Sequence, residues 1–236
     1  MQAAALSHTG LIRPGNEDCY IVDAERGLLA VADGMGGHQA GEVASHLALR
    51  ALRDRLFDGT PGEPLPRMLA AAAFANDIVY RSSQSSRERA GMGTTLTAVW
   101  VVGSRGFLAH IGDSRAYLFR DGQLQTLTND HSYVGELVRN GGLTAEEARQ
   151  HPRRNILTRA LGTEGTVSID SREIALRAGD RLLLCTDGLY EVIPDAEIAA
   201  VMGRYQELAA TAQELLRVTL ERGGPDNVTV VLALYE

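Results

Sequence analysis

The sequence predicts an α+β fold: a four-layer αββα sandwich of two antiparallel sheets packed face to face, each covered on its outer side by a pair of helices. Three observations carry that prediction. The β-rich runs are short, and several neighbours are separated by too few residues for a crossover, so they pair as hairpins. Helical periodicity is confined to two separate blocks, each long enough for two helices. The regular strand and helix alternation of a doubly wound parallel sheet is absent.

Taken in chain order, LLAVAD (28 to 33) reads as a short buried strand that runs into the glycine-rich VADGMGGHQAGE (31 to 42). Helical patterns follow over roughly 42 to 58 and 66 to 83, with Glu42 well placed near the positive end of the first helix dipole. TTLTAVWVV (94 to 102) and FLAHIGD (107 to 113) flank GSRG (103 to 106), and DG at 121 to 122 marks a second tight turn. From about 130 to 166 the chain turns polar and carries Arg139, Arg149, Arg153, Arg154 and Arg159. Thr144 and Glu147 there have the spacing of a capping box. This stretch predicts an insert of small helices over one end of the sheets, a usual place for substrate selection. LLLCTD (182 to 187), helical patterns over 195 to 203 and 206 to 222, and NVTVVLALY (227 to 235) complete the elements, read as one domain over 1 to 236.

Composition narrows the chemistry. The 236 residues, 44% hydrophobic and 22% charged, lie in the ordinary globular range. A net charge of -7 argues against nucleic acid, whose binding draws on Lys and Arg. All 23 basic residues are arginine. The chain therefore lacks the lysine of a Walker phosphate loop, of a protein kinase and of a pyridoxal Schiff base. Cys19 and Cys185 are far apart and form neither a zinc motif nor a disulfide framework, and Cys185 reads as a buried small hydrophobe. Apolar runs such as LAAAAFA (69 to 75) are too short to span a bilayer. A cytoplasmic monomer with no membrane or nucleic-acid partner is the expectation.

One local design recurs: an apolar strand ends in an acid beside glycine. Asp33 has it in AVADG, Asp113 in HIGDS and Asp187 in LLCTDG; Asp226 in GGPDN precedes the last strand, and Glu17 and Asp18 stand at the mouth of an early one. Singly, each is an ordinary turn former. Jointly they lie at strand ends that a sheet brings together. Carboxylates about 4 Å apart at an effective dielectric near 20 repel by roughly 4 kcal/mol a pair, so such a cluster needs bound cations or raised pKa values. Oxygen ligands without nearby His or Cys point to Mg or Mn rather than zinc. Carboxylates shared between two such ions support bimetal hydrolysis. Glycine after Asp33 leaves a backbone carbonyl free to add a ligand. The glycines at 34, 36, 37 and 41 do not fit G-x-G-x-x-G, and Asp33 would repel a pyrophosphate, so the turn reads as a metal turn rather than a nucleotide cradle.

RPGNED (13 to 18), VADGMGGH (31 to 38), GMGTTLTA (91 to 98), IGDSRAY (111 to 117), NDHS (129 to 132), CTDGLYE (185 to 191) and GGPDNVTVV (223 to 231) together resemble the bacterial, compact form of the metal-dependent protein phosphatase 2C-like (PPM) Ser/Thr phosphatases. They follow that family's order over nearly the whole chain. The resemblance implies that Asp33 bridges two Mn or Mg ions, with the Gly34 carbonyl, Asp187 and Asp226 as further ligands. Glu17 and Asp18 would hold metal-bound waters or ligate directly, and Asp113 with Asp187 would form a third, weaker site. Arg13 matches the arginine that binds the substrate phosphate, a role suited to its bidentate fork. The insert matches the family's flap. Met35 departs from the eukaryotic pattern, in which a histidine stands there as a proposed general acid; that role is not carried to His38.

The implied reaction is one-step hydrolysis of phosphoserine or phosphothreonine by a water activated between two ions. The implied partners are phosphorylated proteins, a bacterial Ser/Thr kinase and its substrates among them. The chain has no C-x5-R cysteine nucleophile and no G-x-S-x-G elbow, in keeping with water as attacker. Two other readings stay open: a noncatalytic adaptor that kept the fold, and a metal-dependent hydrolase of small phosphoesters or nucleotides.

Overall fold

The computed structural model describes residues 1 to 36 and 40 to 236. Its strands are β1 (Gln2–His8), β2 (Asp18–Asp23), β3 (Leu28–Met35), β4 (Gly93–Thr94), β5 (Leu96–Val102), β6 (Arg105–Ile111), β7 (Arg115–Arg120), β8 (Gln123–Thr126), β9 (Asp170–Ala175), β10 (Arg181–Cys185) and β11 (Val228–Leu234). The helices are α1 (Ala40–Leu56), α2 (Pro64–Ser85), α3 (Tyr133–Arg139), α4 (Ala145–Gln150), α5 (Asp187–Tyr190), α6 (Asp195–Arg204) and α7 (Leu208–Glu221). One sheet runs β1-β11-β10-β7-β8 and the other β2-β3-β5-β6-β9, with β4 paired to β3; every pairing is antiparallel.

Strand periodicity divides the core into three layers. In β3, Leu28, Ala30 and Ala32 pack under α1 and α2, where Ala44, Ala48 and Ala75 let the helices lie close. Leu29 and Val31 point the other way, against Leu182 and Leu184 of β10 and Val231 of β11. Leu183, Val230 and Leu232 then face Ile198, Met202 and Leu215 of α6 and α7. These strands read as unbroken apolar runs because both of their faces are covered. Cys185 is fully buried in this outer layer, as the sequence suggests.

The tight turns fall as expected. β5 and β6 form the hairpin over 103 and 104, and the β7 to β8 turn has Asp121 and Gly122 at φ 51° and 78°, the positive pair of a two-residue hairpin. Boundaries shift by a few residues. The strand at 28 continues to Met35, because Gly34 and Met35 pair with Thr94 and Gly93, so Asp33 lies inside it rather than at its end. The run at 182 stops at Cys185, and Asp187 opens α5. β1 and β9, edge strands with mostly part-exposed or exposed side chains, have no counterpart in the sequence reading. The insert holds α3 and α4 as foreseen, and the capping box of Thr144 and Glu147 is complete.

Candidate metal centre

One end of the sandwich gathers the acids. Asp18 and Asp33 are direct cross-strand partners in β2 and β3. The end of β10 and the start of β11 lie side by side, which sets Asp187 near Asp226. The link from β6 to β7 crosses between the sheets there and carries Asp113. Glu17, Asp33, Gly34, Asp113, Asp187, Asp226 and Arg13 all line one cleft of about 1050 Å³, with Arg159 and Thr163 of the insert on its wall. Asp18 alone among the foreseen residues does not line it; it is buried behind the others, 6% exposed. Its Oδ2 accepts hydrogen bonds from Thr186 (2.8 Å) and Thr229 (2.7 Å).

The backbone around these acids is held tightly. Thr95 Oγ1 accepts from the Asp33 N–H at 2.8 Å, while the Thr95 N–H and Thr94 hydroxyl donate to the Asp33 carbonyl at 2.9 and 2.8 Å. The GTT of GMGTTLTA is thus a clamp on Asp33. A Cβ on Gly34 would lie 2.1 Å from the Gly41 carbonyl oxygen, so only glycine fits between β3 and α1. Asn227 is a further positioning residue: its Oδ1 accepts from the Glu17 N–H at 2.8 Å, and its Nδ2 donates to the Thr9 and Gly15 carbonyls at 2.8 and 2.9 Å. Asn227 lies within GGPDNVTVV, where nothing in its residue type marks a role. Its signal was position, directly after a proposed ligand.

Electrostatics mark the cleft as unfinished without cations. Burial pushes the Asp18 and Asp113 carboxyls up to about 7. Asp33 and Asp187 are also raised, first by burial and then by neighbouring acids, Asp18 foremost for Asp33 and Asp113 foremost for Asp187. Burial raises Glu17 as well. Oδ1 of Asp18 and Oδ1 of Asp187 are buried with no hydrogen-bond partner. Buried carboxylate oxygens left in that state are costly, and a divalent cation is the partner that removes the cost. Among the described residues no three His, Cys, Asp or Glu side chains close on a single point. The acids line a wall instead, which suits hard ions that keep several waters. The all-oxygen donor set fits Mg or Mn.

Arg13, the expected phosphate ligand, donates from Nη2 to Asp226 Oδ2 at 2.6 Å. That hydrogen bond raises the guanidinium pKa further. Met35 occupies the position after Gly34, whereas Gly37 and His38 lie outside the described residues.

Glu17, Asp33, Asp113, Asp187 and Asp226 converge on a cleft that Arg13, paired with Asp226, also lines, an arrangement suited to metal-dependent phosphoryl hydrolysis. The protein phosphatase 2C family model matches residues 15 to 226, and the chain belongs to that family. It is 45% identical over 234 residues to the serine/threonine protein phosphatase PstP of Mycobacterium tuberculosis, covering 99% of this chain and 45% of that protein. It thus spans under half the length of that relative. The serine/threonine phosphatase stp of Listeria innocua is 38% identical over 239 residues, covering 98% of this chain and 95% of its own. The crystal structure of the catalytic domain of PstP in complex with two manganese ions superposes with a TM-score of 0.90 at 44% identity, covering 99% of this chain and 97% of that one. The α+β architecture is shared with that structure.

Proposed function

We propose that this chain is a protein Ser/Thr phosphatase working as a single domain. The observation that carries the reading is the cleft itself, with five of the foreseen acids on its wall and buried, unpartnered oxygens on Asp18 and Asp187. Asp33, the Gly34 carbonyl, Asp187 and Asp226 are the residues that would hold two Mn or Mg ions, and Asp113 with Asp187 a third. Such ions supply a water acidic enough to attack phosphorus and offset the charge of the phosphoryl group. The Arg13 fork binds two phosphate oxygens and orients the ester. Glu17, whose N–H donates to Asn227 Oδ1, would hold a water of such an ion or ligate it directly. Asp18 sets the shape of the site from behind, fixed by two threonine hydroxyls. Met35 has no titratable proton, so the chain offers no general acid at that position.

The substrates in this reading are phosphorylated proteins, with a bacterial Ser/Thr kinase and that kinase's targets as partners, in the cytoplasm and as a monomer. No helix among the described residues is long and apolar enough to cross a membrane. The test is Mn-dependent phosphate release from a phosphothreonine peptide, compared with small phosphoesters at equal concentration. Release from the peptide is expected, and Asp187→Ala is expected to abolish it while the circular dichroism spectrum stays native. Turnover of small esters alone would move the protein to the small-molecule hydrolases, and no turnover of either would make it an adaptor.

A further inference from the structure

The loop from Thr9 to Gly15, between β1 and β2, is pinned from below. Gly10 turns with φ +80°, where a Cβ would lie 2.2 Å from the Asp226 carbonyl oxygen. The Leu11 N–H donates to the Gly224 carbonyl at 2.8 Å, and the Asn227 amide holds Thr9 and Gly15. This rigid frame presents two large aliphatic side chains to water. Leu11 is 63% exposed and Ile12 71%. They directly precede Arg13, which lines the cleft. On the insert, Ile156 is 49% exposed between Asn155 and Leu157, both of which line the same cleft. Its carbonyl accepts from the Tyr133 N–H at 2.8 Å, so it too stands on a fixed backbone.

Isolated exposed aliphatics are ordinary, but these are not scattered. Among the described residues six large hydrophobics are exposed, and three of them lie within two residues of side chains that line this one cleft. Leu11 and Ile12 contribute little to the core, and their loop is already ordered, so contact with a partner carries no cost of ordering the backbone. We propose that Leu11 and Ile12 form an apolar step that receives an aliphatic side chain flanking the phosphorylated residue of a peptide substrate, with Ile156 as a second contact. The inference rests on the phosphatase reading above and names the substrate class within it. Arg13 fixes the phosphate, and in an extended peptide the side chains two residues to either side share the phosphothreonine's face, so one of them turns toward the step. Exposed Glu42 and Glu164 on the cleft lining disfavour acidic flanks.

The test uses two phosphothreonine peptides of equal length and charge, one with isoleucine two residues to either side of the phosphothreonine and one with glycine there, and an aryl phosphate as reference. Wild type is expected to show a KM about tenfold lower for the isoleucine peptide, the gain from burying part of one aliphatic side chain. The double variant Leu11→Ser, Ile12→Ser is expected to raise that KM about tenfold. It should leave the glycine peptide, the aryl phosphate and kcat unchanged; Ile156→Ser should give a smaller rise of the same kind. Equal KM values for the two peptides in wild type, an equal rise for both in the double variant, or loss of aryl phosphate turnover would each overturn the apolar step. Turnover of the aryl phosphate with neither peptide hydrolysed would overturn the phosphatase reading, and the step with it.

Discussion

Arg13 faces two partners that compete for one guanidinium. In the structure it pairs with Asp226 at 2.6 Å, and in the proposed reaction it grips phosphate oxygens. Ions that draw on Asp226 would release the arginine for the substrate. Arg13→Ala removes phosphate binding and leaves the acids in place, so its effect falls on KM rather than kcat. A charge-assisted hydrogen bond contributes roughly 1.5 to 3 kcal/mol, so KM for a phosphothreonine peptide should rise about 10- to 100-fold in saturating Mn. Unchanged steady-state constants would take Arg13 out of the phosphate site. At this scale the acids were legible because an acid beside glycine at a strand end stands out from its apolar neighbours. Thr186, Thr229 and Asn227 were not. A threonine inside a strand-like run looks like any β-former, and only the pairing of β10 with β11 reveals that Thr186 and Thr229 grip the same oxygen of Asp18.

At the scale of elements, apolar runs and helical periods located the covered strands and both helix pairs, since burial on each face writes itself into the residues. β1 and β9 escaped because an edge strand is half wetted; DSREIA has one buried side chain, and its pairing is supplied by β6. Nor did the sequence disclose how the insert is tied down. Asn76 of α2 is 2% exposed and reaches across to the insert's return segment. Its Oδ1 accepts from the Gly162 N–H at 2.8 Å and its Nδ2 donates to the Glu164 carbonyl at 3.0 Å. Thr163 and Glu164 line the cleft, so this one amide couples the outer helix layer to the site's wall. Asn76→Leu would leave the buried Gly162 N–H unpaired, while the Glu164 carbonyl, on an exposed residue of the cleft, can turn to water. At about 1 to 3 kcal/mol for an orphaned buried group, urea denaturation should show a loss of roughly 1 to 3 kcal/mol. Hydrogen exchange at 162 to 165 should quicken before the sheets respond. Native protection at those amides would mean that the segment is held by other contacts.

For the molecule as a whole, the buried acids make stability a function of pH and ions together. Without metal, Asp18 and Asp113 have carboxyls pushed up to about 7 from an ordinary value of 3.8. A raised folded pKa contributes stability that is fully present below the unfolded value and lost as pH rises through the folded one. His110 acts in the other direction: burial pushes it down to about 4 from 6.5, so its contribution is present above 6.5 and is lost as pH falls toward 4. Between pH 6.5 and 8 the histidine contribution is present and nearly constant, so the carboxyls set the slope. Metal-free protein should therefore weaken as pH rises across that window. The slope is at most about 1.4 kcal/mol per pH unit for each carboxyl still protonated in the fold. Divalent ions bound to the ionised acids replace those protons, so in excess Mn the slope should vanish and the midpoint should rise by mass action, most at the alkaline end. Urea denaturation in EDTA and in Mn at pH 6.5, 7.25 and 8.0 measures both effects. Parallel pH profiles with and without Mn would mean that the ions bind somewhere other than among these acids, whereas a gap that widens with pH requires protons and metal to share the same oxygens.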